Sequence, residues 1–94
     1  SMTGDAGKAA EIAKVMEIFE QVVESSKVGV RKPEPEFYKI ACEMLAVEPS
    51  QAVFMDDLGV NLKPAKAMGM TTIKVLSAAQ AISDLEGILG ISLG

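Results

Sequence analysis

Histidine is absent from this 94-residue chain, and so is tryptophan. Without imidazole there is no Ser-His-Asp or Cys-His nucleophilic site, no zinc site that needs a histidine ligand, and no usual general base. Any chemistry must run on carboxylates, lysine and a hard metal ion. Cysteine occurs once, at Cys42, so no internal disulfide forms, which fits a reducing, cytoplasmic setting. Aromatic residues are only 4% of the chain, and 9 Lys and Arg face 13 Asp and Glu, a formal net charge of −4. With neither a basic stripe nor a stacking platform, nucleic acid and anionic membranes are not expected partners. No apolar run approaches the ~20 residues of a membrane helix, and no signal-type apolar region follows the N-terminus.

Apolar residues make up 49% of the chain, enough for the core of one small domain or part of a larger one. Residues 1–10 read as an expression leftover or a flexible N-terminus. The glycines and lysine of "GDAGKA" lack the spacing, the following Ser/Thr and the preceding strand of a phosphate loop. Ile12, Val15, Met16 and Phe19 stand at helical spacing, predicting a helix over about 7–18. "QVVES", Gln21–Ser25, is short and β-branched and reads as a strand. A loop with two prolines, "KVGVRKPEP", leads into a helix with Pro35 in its first turn and Phe37, Ile40, Ala41, Met44 and Leu45 inward.

"AVFM", Ala52–Met55, is a continuous apolar strand of the kind buried on both faces of a parallel sheet. Asn61 is a candidate N-cap of the next helix, with Pro64 in its first turn. That helix ends at a C′ glycine, Gly69, followed by an apolar Met70. "TTIKV" is the last strand, and "SAAQ", Ser77–Gln80, is a capping box opening a helix with Ile82, Leu85 and Leu89 inward. The methionines occupy core positions as filler. The order α-β-α-β-α-β-α calls for an α/β fold with a three-stranded parallel sheet, right-handed crossovers and flanking helices.

The apolar strand ends in two adjacent aspartates, Asp56 and Asp57. Like charges beside apolar walls repel and lose hydration, so a cation should stand nearby. Ligands of open α/β sheets bind beyond the strands' carboxyl ends, where these aspartates fall. Lys32, held extended by the following proline, sits ahead of a helix N-terminus, where a cation is unfavourable unless an anion lies between. A phosphoryl group would fill that role, and Mg²⁺ would relieve the aspartate pair. Ser25 and Ser26 are read as satisfying backbone groups, and Cys42 as buried packing with no base to activate it.

"VGVRKPEPEFYKIA" followed by "VFMDDLGVNLKPAKAMGMTTIKV" resembles the haloacid dehalogenase (HAD) superfamily of phosphohydrolases. The resemblance runs from about Glu11 to Leu93. It implies that residues 11–94 are the C-terminal part of a Rossmann-like HAD core. It also implies that Lys32 is the catalytic and phosphate-binding lysine, that Asp57 ligates Mg²⁺ with Asp56 in support, and that Asn61 is a polar phosphate-side residue. The family nucleophile lies in an Asp-x-Asp motif. The aspartates here are Asp5, Asp56, Asp57 and Asp84, so that motif is missing and the isolated chain is expected to be inactive. The expected partners are a small phosphorylated substrate in the intact form, and either a second copy of the chain or the missing N-terminal half. A non-catalytic HAD-derived binding or assembly module is the alternative.

Overall fold

The computed structural model describes residue 14 and residues 16–26 and 29–93. Helix α1 (16–26) is followed by α2 (Pro35–Leu45), a 3-10 turn (Pro49–Gln51), β1 (Val53–Asp56), α3 (Gly59–Ala67), β2 (Thr71–Lys74) and α4 (Ala78–Leu89). The segment "GDAGKA" and most of the helix expected over 7–18 lie outside the described residues, while 16–18 are helical.

The strand expected at Gln21–Ser25 is instead the second half of α1. Its burial pattern gives the reason. Val23 is fully buried and Phe19 and Glu20 are half-buried, whereas Ile18, Gln21, Val22 and Ser25 are exposed. That is a period near 3.6, not the alternation of a strand. The β preference of Val22 and Val23 is a weak term that packing of Phe19 and Val23 overrides. The Ser25 and Ser26 hydroxyls donate to the carbonyls of Val22 and Val23, at 3.1 and 2.7 Å. They do satisfy backbone groups, but one turn back along a helix.

Among the described residues the sheet therefore has two strands rather than three. β1 and β2 run parallel, with Val53 opposite Thr71, Phe54 opposite Thr72, Met55 opposite Ile73 and Asp56 opposite Lys74. α3 makes the crossover and packs on both strands. One face of the sheet meets the main core of Val23, Val30, Phe37, Tyr38, Cys42, Ala65 and Met70, against which Phe54 packs. On the other face Met55 lines a cavity together with Ala81, Ile82 and Leu85 of α4. Val53, Phe54 and Met55 are half-buried rather than buried on both sides. Among the described residues no strand lies along the outer edge of β1.

Helix boundaries follow local chemistry. α2 begins at Pro35, as expected, but buries Phe37, Tyr38 and Cys42, leaving Met44 and Leu45 exposed. Its inward stripe is rotated by about one residue from the one expected, because Tyr38 takes the centre. α3 starts two residues before Asn61, with Leu58 as N-cap, so Pro64 lies inside the helix rather than in its first turn. At its end the expected glycine cap forms. Gly69 takes φ +100, its N–H reaches the Lys66 carbonyl, and the Met70 N–H reaches that of Ala65, both at 3.0 Å. This is a Schellman closure, with Met70 buried behind it.

The Ser77–Gln80 capping box forms in both directions, at 3.1 and 3.2 Å. Ile82 and Leu85 turn partly inward, but Leu89 is exposed. Of the methionines, Met70 is buried, while Met16 and Met44 are exposed; only some of them fill the core.

Candidate active site

β1 ends in Asp56, a position where a carboxylate would ordinarily meet water. Here its side chain is only 5% exposed, and its environment explains how it remains ionised. Lys32 Nζ donates to Oδ2 at 2.6 Å, the Leu58 N–H donates to Oδ1 at 2.8 Å, and Asn61 Nδ2 reaches both oxygens at 3.2 Å. Burial alone would raise the Asp56 pKa. The hydrogen bonds from Lys32, Leu58 and Asn61 outweigh it and hold the carboxyl below its ordinary range. A carboxylate offers about four lone-pair sites, and these donors fill them.

The Leu58 contact is a turn in which Asp56 receives the N–H two residues ahead. It sets the carboxylate at the entrance of α3. Asn61, third in α3, is therefore not the N-cap; it projects from the first turn onto Asp56. Tyr38 completes this layer by donating its hydroxyl to the Asn61 carbonyl. The Tyr38 ring packs edge-on to Phe54 and Phe37, at 5.0 and 5.4 Å between centroids. Burial pushes its phenol pKa up, so it stays a donor.

Lys32 comes from the loop between α1 and α2. Its ammonium lies 2.6 Å from Asp56 Oδ2, 3.0 Å from Glu20 Oε1 and 5.8 Å from the Phe54 ring centre. Desolvation lowers its pKa, but the bonds to Asp56 and Glu20 outweigh this and raise it. Lys32 is a fixed cation. Asp57, next to the buried Asp56, is exposed. Lys32, Asp56 and Asp57 all line a cavity of about 440 Å³ between α1, the end of β1 and α4. Its lining includes Met16, Met55, Val75 and Ile82, together with the carboxylates Glu17 and Glu20.

Lys32, Asp56 and Asn61 are thus brought into one bonded cluster, with Asp57 beside them on the cavity wall. Sequence reasoning missed Glu20 and Tyr38. The signal for Glu20 was its place beside Phe19 and Val23 on a buried helical stripe, where a carboxylate needs a partner. Tyr38, the chain's one tyrosine, adjoins Phe37 at the start of the α2 stripe. Among the described residues, no group of three or more His, Cys, Asp or Glu side chains converges as a metal-binding set. No helix among them is long and apolar enough to cross a membrane. Cys42 is buried, and that burial with nearby Glu48 pushes its thiol pKa up, consistent with packing.

Parallel strands joined by a crossover helix, with polar groups gathered beyond their carboxyl ends, define an open α/β ligand site. The profile of the haloacid dehalogenase-like hydrolase family matches residues 2–69, and the chain belongs to that family. Bifunctional epoxide hydrolase 2 of Rattus norvegicus is 43% identical over 82 residues, 87% of this chain and 15% of that protein. Validoxylamine A 7'-phosphate phosphatase of Streptomyces hygroscopicus subsp. limoneus is 29% identical over 76 residues, 79% of this chain and 36% of that protein. The chain thus spans well under half the length of either relative. A crystal structure of an uncharacterized protein from Corynebacterium glutamicum aligns with a TM-score of 0.65 at 22% identity, covering 71% of this chain and 49% of that one. It shares the fold.

Proposed function

We propose that this chain carries the lysine and acidic-pair portion of a Mg²⁺-dependent phosphohydrolase site. In its intact form that site would move phosphate from a small monoester to an aspartate and then to water. The observation that carries the reading is the buried Lys32–Asp56 contact of 2.6 Å at the end of β1, with the exposed Asp57 on the same cavity wall. Asp56 is saturated by its hydrogen bonds, so its part is to fix Lys32. Asp57 is the carboxylate with oxygens to offer a metal. One or two carboxylates with several waters suit Mg²⁺, which when bound would neutralise charge on the phosphoryl oxygens. Lys32 would hold a phosphate oxygen as a point charge. The covalent step needs a nucleophile that the sequence does not contain as Asp-x-Asp.

The expected result is weak Mg²⁺ binding that moves the amide signals of Asp56 through Asn61, abolished in Asp57→Asn, with no p-nitrophenyl phosphate turnover by the chain alone. Shifts spread equally over Asp84 and Glu86 would mean nonspecific surface binding. Turnover lost in Asp57→Ala would show that the chain is catalytically complete.

The outer edge of β1 and the exposure of Leu76, Ile91 and Leu45 at 78%, 56% and 55% favour a second reading, a module that assembles with another copy of itself. Open strand edges and apolar surface promote pairing. Sedimentation equilibrium at micromolar concentration should then give a dimer or larger species; a monodisperse monomer that unfolds cooperatively rules this out.

A further inference from the structure

We propose that Glu20 is an internal competitor for the anion at Lys32, an inhibitory carboxylate on α1 that a phosphate must displace. The inference rests on the reading of Lys32 as a phosphate clamp. An ammonium has three N–H donors. One goes to Asp56 at 2.6 Å and one to Glu20 at 3.0 Å, so with the partners among the described residues one remains for a ligand.

The two carboxylates are not equivalent. Asp56 is 5% exposed and also receives the Leu58 N–H and both Asn61 contacts, so moving it would strand several buried donors. Glu20 is 38% exposed, and among the described residues Lys32 is its one polar partner. Its side chain can swing to water without leaving a buried group unpaired. It also lines the cavity with Asp57 and Lys32, where a carboxylate oxygen and a phosphate oxygen would seek the same ammonium proton. The site is therefore closed by its own chain when no anion is present, and its anion affinity is lower than the Lys32 charge alone would give.

The test is titration with inorganic phosphate at fixed MgCl₂, following the Lys32 ammonium and Leu58 amide by NMR. Glu20→Gln should bind phosphate about two- to fivefold more tightly than the parent, the scale of losing one partly exposed ion pair. Glu20→Ala, which removes the acceptor altogether, should gain at least as much. Glu24→Gln, one turn along α1 with the same change in charge, should not differ from the parent. If Glu20 merely props Lys32 in place, both Glu20 variants bind more weakly, and the opposite sign overturns the proposal. Equal affinity in all four proteins, with the Lys32 signal moving in each, overturns the competition but leaves the clamp. A Lys32 signal that moves in none overturns both.

Discussion

Asp56→Ala is expected to destabilise the chain by about 3–5 kcal/mol, the cost of breaking a buried ion pair from one side. The substitution leaves Lys32, itself only 16% exposed, with Glu20 alone, and strips acceptors from the Leu58 N–H and the Asn61 amide. For a domain of this size that is a large part of the roughly 5–15 kcal/mol available. Urea unfolding followed by circular dichroism measures it. The double variant Asp56→Leu with Lys32→Met should recover much of the loss, because a buried pair can be exchanged for apolar groups at little net cost. A loss below about 1 kcal/mol would mean that the pair behaves like an exposed one.

The same pair sets a pH window. The Asp56 pKa is lowered in the fold, so its contribution is complete above the ordinary carboxylate value near ~4 and is lost as pH falls through the lower folded value. The Lys32 pKa is raised, so its contribution is complete below about 10.4 and is lost as pH rises through the folded value. From this pair, stability is flat between those limits. Asp56→Ala should flatten the acid side of the profile.

Tyr38→Ala should cost a similar ~3–5 kcal/mol, as loss of a fully buried aromatic does. Tyr38 is 0% exposed and touches Phe37 and Phe54 as well as Asn61. Tyr38→Phe keeps the ring contacts and removes only the hydroxyl, so about 0.5–1.5 kcal/mol is expected from the loss of its one hydrogen bond to the Asn61 carbonyl. The gap between the two variants separates packing from hydrogen bonding. If Tyr38→Phe cost as much as Tyr38→Ala, the hydroxyl and not the ring would be the support.

How much of this was legible depended on how local the signal was. The Gly69 cap, the Ser77–Gln80 box and the Pro35 start rest on backbone geometry within a few residues, and each stands where the sequence placed it. That Lys32, Asp56 and Asp57 lie together was legible because a lysine before proline and a doubled carboxylate after an apolar strand each call for an opposite charge nearby. Gln21–Ser25 was misread because its two valines carry a strand preference, while the decisive term, the match of Phe19 and Val23 to the core, is tertiary. Asn61 was legible as a polar residue near a helix start but not as a donor to Asp56, which depends on α3 beginning two residues earlier. Glu20 fell to the same error as the strand, since its position facing Lys32 follows only once 16–26 is helical.

The span from β1 through α3 to β2 also has a kinetic meaning. Asp56 and Asn61 are 5 residues apart, and Val53 meets Thr71 across a single crossover. Lys32 reaches Asp56 over a separation of 24. Contacts that close short loops cost less chain entropy and form sooner. The carboxylate and its amide are therefore expected to assemble as a local unit on the folding route, with the lysine docking afterwards onto an acceptor already held in place.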